Sequence, residues 1–150
     1  MNGQQHEVRV ATDETLLETL RNQLELMSVR GSCGVGVCGS CTVLIDGKPI
    51  CACLTLSALA DGVEITTAEG LVGHDGRLDP VQEAFINHSA FQCSYCTPAI
   101  VLTTRAMLNE NPKPTREEIL EHLSGNLCRC GSYLNVLEAI ESLTGQSGTR

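Results

Sequence analysis

Cysteine is the residue type in this sequence best suited to chemistry, and it occurs nine times in 150 residues. The cysteines form two separate groups along the chain: Cys33, Cys38, Cys41, Cys51 and Cys53, then Cys93, Cys96, Cys128 and Cys130. An odd number leaves at least one thiol unpaired in any complete disulfide scheme. Grouped thiols also suit metals, because thiolate is a strong ligand for zinc and iron. The spacing within each group therefore indicates which metal it fits.

The first three cysteines have the spacing C-x4-C-x2-C within a glycine-rich segment. This spacing is typical of plant-type [2Fe–2S] sites, which take a fourth cysteine from further along the chain. Three thiolates from one loop must surround two irons, so the backbone needs tight turns and close approaches without side chains. Glycine permits both, and its amide can point at a cluster sulfur. We therefore predict that the loop depends on Gly34, Gly36 and Gly39.

The fourth ligand of the first group is predicted to be Cys51 or Cys53. Both follow Asp46-Gly47, a dipeptide typical of hairpin turns because both turn positions need positive φ. The strand after this turn returns toward the cysteine loop. Side chains two positions apart lie on the same face of a strand, so the spacing leaves both candidates open.

The second group consists of two close pairs, Cys93 with Cys96 and Cys128 with Cys130. Each pair lies at a predicted helix junction, where uncapped amides favour thiolate over thiol. Two such pairs facing each other would form a second site with four thiolates. The alternatives are zinc sites with four thiolate ligands, which also use C-x2-C pairs, and a thiol redox motif, which here lacks the surrounding βαβ pattern.

A mixed first half is predicted to position the first group. Its predicted elements are a strand at His6–Val10, a helix from Thr12 or Asp13 to about Glu25, hairpin strands at 41–45 and 48–53, and a strand at 63–67. Residues 68–80 contain glycine and proline without a regular period, which predicts a linker.

A helical second half is predicted to position the second group. Its predicted helices are Pro80–Phe91, Thr97 to about Asn109, a segment that begins at a Thr115/Glu118 capping box and stops near Gly125, and Leu134–Leu143. Four short helices joined by cysteine-bearing loops indicate a small bundle.

Composition and charge exclude several classes of function. The net charge of −8 has the wrong sign for neutralising phosphates, so nucleic acid is not an expected partner. The chain contains no apolar run of roughly 18 residues, as a membrane helix needs, and the first residues lack the pattern of a secretory signal. A cytoplasmic location is therefore expected, where thiols are kept reduced.

Three motifs resemble those of a known family. The segments GSCGVGVCGSCTVLIDG, QCSYCTP and GNLCRC-x-x-Y are similar to the small iron–sulfur subunit of molybdenum hydroxylases. This is the xanthine oxidase family, which includes aerobic carbon monoxide dehydrogenase and bacterial dehydrogenases of N-heterocycles. The resemblance implies an α+β fold, with a plant-ferredoxin-like β-grasp domain at 1–72 and a four-helix bundle at 73–150. It also implies Cys53 as the fourth ligand, which leaves Cys51 free.

The same resemblance implies two [2Fe–2S] clusters. The cluster nearer a flavin would be held by Cys33, Cys38, Cys41 and Cys53. The cluster nearer a molybdenum cofactor would be held by Cys93, Cys96, Cys128 and Cys130, with Gln92 and Cys130 approaching the pterin. The implied partners are a large subunit with molybdopterin, as the cytosine dinucleotide, and a medium subunit with FAD, in a dimer of heterotrimers. This chain would pass electrons between them one at a time and perform no substrate chemistry itself.

Some positions depart from the family pattern. Ser94 and Ala99 stand where the family usually has glycine, and Gly131-Ser132 replaces Thr-Gly, but the ligands are spared. The family usually has a strand before its Asn-Gly turn, whereas this sequence begins at that turn, so either the first strand is missing or partner contacts replace it at the N-terminal sheet edge. Two rival interpretations are a zinc-stabilised interaction module and a free-standing ferredoxin, and the second cluster with its Gln92 motif argues against the latter.

Overall fold

The computed structural model describes residues 1–73 and 75–145. This part of the chain contains a small antiparallel sheet and five α-helices, numbered here in chain order. The sheet consists of β1 (Thr42–Ile45), β2 (Lys48–Cys51) and β3 (Ile65–Thr66), with β1 in the centre. Position 74, within the predicted linker, and positions 146–150, within the predicted second domain, lie outside the described residues.

The predicted hairpin is confirmed, with strands slightly shorter than expected. Ile45 pairs with Lys48 across the turn, and Thr42 pairs with Cys51 at the far end. The turn residues Asp46 and Gly47 have φ values of 49° and 80°, the left-handed conformation that this dipeptide favours. The short third strand is also confirmed. The hairpin therefore returns the chain to the loop that carries the first cysteines.

The first helix is capped later than predicted, by Thr15 instead of Thr12 or Asp13. α1 (Leu16–Glu18) continues directly into a π-helical turn (Thr19–Gln23). Thr15 caps it because its hydroxyl accepts from the Glu18 amide while the Glu18 carboxylate accepts from the Thr15 amide. This reciprocal pair of hydrogen bonds needs Glu three positions after the capping Thr. Thr12 cannot form it, because the residue three positions later is Thr15.

The predicted strand at His6–Val10 is wrong. These residues are described, but they form no strand and most of their side chains are exposed. The segment instead borders an open cavity of about 870 Å³ that also touches Leu20 and Ile65. Alternating residues indicate which face of a strand would be buried, but a strand also needs an edge to pair with. β3 instead forms a backbone contact with Asn2, which precedes the segment. The backbone amide of Asn2 donates to the carbonyl of Ile65 at 2.8 Å.

All four predicted helices of the second half are present. They are α2 (Pro80–Asn87), α3 (Thr97–Glu110), α4 (Arg116–Leu123) and α5 (Tyr133–Thr144). The predicted Thr115 capping box is confirmed. α2 ends four residues earlier than predicted because the chain forms a Schellman motif there. Ser89 has a φ of 49°, and the Ala90 amide donates to the Phe85 carbonyl at 2.9 Å.

Three groups of buried apolar side chains hold these elements together. The first lies among the helices and includes Val81, Phe85, Ile100, Met107 and Ile140. The second joins the first helix to the sheet and includes Leu16, Leu20 and Val43. The third consists of Leu44, Ala68, Leu102 and Ala106, so β1 packs directly on α3. The predicted linker is therefore wrong at its start, because Ala68–Leu71 forms a packed 3-10 turn.

None of the described helices is long and apolar enough to cross a membrane.

Candidate metal centres

The loop that carries the first cysteines points backbone amides at Cys33. The Cys38 amide donates to the Cys33 sulfur at 3.4 Å. Hydrogen bonds from the amides of Val35, Cys38 and Val37 lower the pKa of Cys33 to about 6. Positive φ values at three glycines, between 66° and 72°, give the loop this curvature: Gly34, Gly36 and Gly39. The loop therefore stabilises a thiolate before any metal arrives.

The other two thiols of this site lie deeper in the protein. Cys41 is 2% exposed and Cys53 is 9% exposed, and their side chains are in contact. Burial raises the pKa of Cys41 to about 12. The Cys33 and Cys38 side chains form a second contacting pair nearer the surface. A metal that binds here must displace the proton from Cys41, which couples binding to proton release.

Cys51 and Cys53 do not share a strand face, contrary to the prediction. β2 ends at Cys51 and the chain turns into a 3-10 helix at Ala52–Leu54, so the alternation of a strand stops there. Cys51 is half-buried, its sulfur lies 3.9 Å from the Gly36 carbonyl oxygen, and burial raises its pKa. Both side chains border Cys41. Of the two, Cys53 is the more buried.

The second group also forms two contacting pairs. Cys93 is exposed and touches Cys130, whereas Cys96 is half-buried and touches Cys128. The Tyr95 amide lowers the pKa of Cys93, and burial raises the pKa of Cys96 to about 12. A small cavity is lined by all four of these cysteines. The two C-terminal cysteines thus face the C-x2-C pair, as the sequence predicts.

Helix ends position this second group. Cys96 is the N-cap residue of α3, and its carbonyl accepts from the Ile100 amide at 3.2 Å. Cys130 lies two residues before Ser132, the N-cap of α5. Gln92 is exposed beside Cys93 and lines the same cavity. The predicted helix junctions are therefore present.

The donor set of each group fits a two-iron cluster. Such a cluster takes four thiolates, two on each iron, and the contacts pair Cys33 with Cys38, Cys41 with Cys53, Cys93 with Cys130, and Cys96 with Cys128. Within residues 1–73 and 75–145, no group of three or more His, Cys, Asp or Glu side chains is already arranged to hold a metal ion.

Asn126 joins the two groups of cysteines, a role that was not predicted from the sequence. Its side-chain amide donates to the Gly39 carbonyl at 3.1 Å, and its side-chain oxygen accepts from the Thr103 hydroxyl at 2.9 Å. Beside it, the Leu127 amide donates to the Cys38 carbonyl at 2.9 Å. A Cβ on Gly39 would lie 2.1 Å from the Gly125 carbonyl oxygen. The only signal in the sequence is the position of Asn126 just before Cys128.

Both tyrosines of the chain bind the backbone of a cysteine loop. The Tyr133 hydroxyl accepts from the Cys128 amide at 2.7 Å. The Tyr95 hydroxyl donates to the Gly31 carbonyl, and the Arg30 guanidinium lies over the Tyr95 ring. Sequence reasoning missed these roles as well. The signal that could have found them is that both tyrosines fall inside the cysteine motifs.

Two families of iron–sulfur domain match adjacent parts of the chain. Residues 1–68 match the family described as "2Fe-2S iron-sulfur cluster binding domain". Residues 67–141 match the family described as "[2Fe-2S] binding domain". Each match contains one of the two groups of cysteines.

Two relatives of the chain are the small subunits of a hydroxylase and of a dehydrogenase. The chain is 45% identical over 150 residues to the nicotine 6-hydroxylase small subunit of Paenarthrobacter nicotinovorans, a match that covers 100% of this chain and 90% of that protein. It is 41% identical over 140 residues to the nicotinate dehydrogenase small FeS subunit of Eubacterium barkeri, covering 93% of this chain and 88% of that protein.

Solved structures share the fold. A chain of quinoline 2-oxidoreductase from Pseudomonas putida 86 matches with a TM-score of 0.85 and 42% identity, over 91% of this chain and 85% of that chain. The aldehyde oxidoreductase from Desulfovibrio desulfuricans matches with a TM-score of 0.88 and 38% identity. That match covers 97% of this chain but 17% of that one, so the same unit also exists as part of a much longer polypeptide.

Proposed function

The chain belongs to the family of small iron–sulfur subunits of molybdenum hydroxylases, and from that premise we propose that it carries two [2Fe–2S] clusters. Through them, electrons would pass one at a time from molybdopterin in a large subunit to FAD in a medium subunit. The chain is thus part of an oxidoreductase complex but performs no substrate chemistry itself.

The proposed ligands follow the two groups of cysteines. The first cluster is held by Cys33, Cys38, Cys41 and Cys53, with Gly34, Gly36 and Gly39 shaping the loop. The second cluster is held by Cys93, Cys96, Cys128 and Cys130. The paired contacts of the thiols support this assignment, because each pair suits one iron of a two-iron cluster. Cys53 is preferred to Cys51 because it is more buried and fits the family pattern.

The observation that carries the proposal is the hydrogen bond between Leu127 and Cys38. The Leu127 amide lies 2.9 Å from the Cys38 carbonyl oxygen. Cys38 is a proposed ligand of the first cluster, and Leu127 directly precedes Cys128, a proposed ligand of the second. One hydrogen bond and a short stretch of backbone therefore connect the two sites, which is the arrangement that an electron relay needs.

The chain's own contribution is to hold the clusters in place and to set their reduction potentials. A [2Fe–2S] cluster supplies an acceptor for one electron at a time, and its potential depends on hydrogen bonds to sulfur, burial and nearby charge. The amides around Cys33 stabilise negative charge on that sulfur, whereas Cys41 lies in a desolvated position that disfavours it. The surroundings of the two pairs within one site thus differ, so the two irons of a bound cluster would be inequivalent.

The remaining assignments come from the family and belong to this proposal. Gln92 and Cys130 approach the pterin, which we propose to be the cytosine dinucleotide form. The assembly is a dimer of heterotrimers in the cytoplasm. We also propose that the chain divides near residue 72 into a β-grasp domain and a four-helix bundle.

The test is to purify the protein without added metal and measure iron, sulfide and zinc. Four iron and four labile sulfide per chain, with two distinct electron paramagnetic resonance (EPR) signals after reduction, support the proposal. Stoichiometric zinc without labile sulfide contradicts it and favours an interaction module. Purification from the native host separates the remaining rival, because a free-standing ferredoxin would not retain two larger subunits that contain molybdenum and FAD.

A further inference from the structure

Arg30 and Tyr95 connect the two cysteine loops at a second point. The Arg30 guanidinium lies over the Tyr95 ring, 5.5 Å from its centroid. The Tyr95 hydroxyl donates a hydrogen bond to the Gly31 carbonyl. Arg30 lies three residues before Cys33, and Tyr95 directly precedes Cys96. This pair, which we call the Arg30–Tyr95 joint, therefore touches the segments that carry both proposed clusters.

Within the described part of the chain, Arg30 is a cation without a carboxylate partner. The ion pairs found there involve other side chains. The Nε atom of Arg30 is buried and has no hydrogen-bond partner among the described residues. Burying part of a guanidinium without an anion is unfavourable, and contact with an aromatic face offsets some of that loss. Arg30 is half-buried, and no carboxylate among the described residues forms an ion pair with it, although the net charge of the chain is −8.

The proposed clusters would provide the missing negative charge. Four thiolates and two sulfides carry more negative charge than two ferric ions carry positive charge, and reduction adds one further electron. A fixed cation close to a cluster stabilises the reduced form more than the oxidised form. Arginine suits this role because its guanidinium is always protonated and stacks on an aromatic ring.

We propose that Arg30 is a charge-tuning and positioning residue, whose guanidinium is held on Tyr95 and raises the reduction potential of the adjoining clusters. This inference rests on the proposed function, since it requires clusters in the loops. Arg30 touches no substrate and exchanges no proton or electron. It acts through its charge, and the Tyr95 ring determines where that charge lies.

The experiment is a redox titration followed by EPR, on the full chain with its clusters and any co-purifying subunits. Arg30→Gln removes the charge at similar length and is expected to lower the potential of at least one cluster. The expected shift is about tenfold in the one-electron equilibrium constant, or about 59 mV. Arg30→Lys keeps the charge and should remain closer to wild type. Potentials unchanged by Arg30→Gln overturn the inference.

Three further variants separate the effects of the Arg30 charge, the Tyr95 ring and the Tyr95 hydroxyl. Arg77→Gln makes the same change of charge at an exposed arginine paired with Asp75, and gives the baseline for a solvent-exposed charge. Tyr95→Phe keeps the ring and should leave the potentials near wild type, whereas Tyr95→Leu should lower them. If Arg30→Gln fails to retain clusters, Tyr95→Leu decides: a lowered potential supports the inference and an unchanged potential overturns it.

The wild-type protein distinguishes this inference from the proposed function. If the wild type lacks four iron or lacks two EPR signals, the proposed function itself is wrong. If the wild type has both clusters and the Arg30 and Tyr95 variants leave their potentials unchanged, only the inference about Arg30 is wrong.

Discussion

The side-chain amide of Asn126 donates to the carbonyl of Gly39 at 3.1 Å, although the two residues are 87 positions apart. Asn126 is 5% exposed, and its other polar atom accepts a hydrogen bond from Thr103 on α3. A buried polar side chain with both ends satisfied fixes the groups that it joins. Asn126 thereby holds the first cysteine loop, the second cysteine loop and a core helix in one arrangement.

Replacing Asn126 by alanine is expected to destabilise the protein by about 1–3 kcal/mol, because the Gly39 carbonyl and the Thr103 hydroxyl lose their buried partner. If both clusters are present, the magnetic interaction between their reduced EPR signals should also change, since this interaction depends on their separation. Thermal unfolding and EPR of the reduced protein measure the two effects.

Asn135→Ala is the matched control for this prediction. Asn135 is exposed, and its side-chain amide donates to the carbonyls of His88 and Ser89 at 3.1 and 3.3 Å. Water can replace these contacts after substitution, so the loss of stability should be smaller. Equal effects of Asn126→Ala and Asn135→Ala would show that Asn126 does not organise the junction.

Features with a local signal could be predicted from the sequence. The Asp46-Gly47 turn and the Thr115 capping box each depend on residues within a few positions, and both are present. Four helices were predicted for the same reason. The cysteine groups also follow local spacing, and the thiols of each group do come together in pairs. Their roles as ligands remain predictions.

Features that depend on distant partners could not be predicted in this way. The alternation at His6–Val10 is compatible with a strand, but no neighbouring edge among the described residues pairs with it. The turn at Ala52–Leu54 moves Cys53 off the strand face, which a two-residue alternation does not anticipate. Asn126 contacts residues on two remote segments, so its position just before Cys128 does not by itself indicate its role.

The two candidate fourth ligands should respond differently to substitution. Cys53→Ser is expected to lose the first cluster, leaving about two iron per chain and one EPR signal, because it removes one of four thiolates. Cys51→Ser should retain about four iron and both signals, because the half-buried Cys51 is not a proposed ligand. Iron analysis and EPR of the purified variants measure this difference. The reverse pattern would assign the cluster to Cys51.

A methyl group at position 39 is expected to disrupt the junction between the loops. In Gly39→Ala the new Cβ would lie 2.1 Å from the Gly125 carbonyl oxygen and 2.7 Å from the side-chain nitrogen Nδ2 of Asn126. Gly39 also has a φ of 66°, which strains any other residue. We expect poor retention of the first cluster, measured as labile sulfide per folded chain.

Gly47→Ala controls for the backbone strain in that experiment. Gly47 has a φ of 80°, but a Cβ there would meet nothing within 4 Å. This variant should therefore show the cost of the left-handed conformation alone, roughly 1–2 kcal/mol. If Gly39→Ala retains as much labile sulfide as Gly47→Ala, the close approach of Gly125 is not required.

The loss of stability on breaking the ion pair between Arg116 and Glu141 should depend on which partner is replaced. The Glu141 side chain is 8% exposed and the Arg116 side chain is 48% exposed. Arg116→Ala leaves a buried carboxylate without its partner, and the loss should be below the roughly 3–5 kcal/mol of fully buried pairs because water screens the half-exposed Arg116. Glu141→Leu leaves an arginine that water can solvate, so it should destabilise less. Thermal unfolding of the two variants measures the difference, and a larger effect of Glu141→Leu would show that the carboxylate needs no partner.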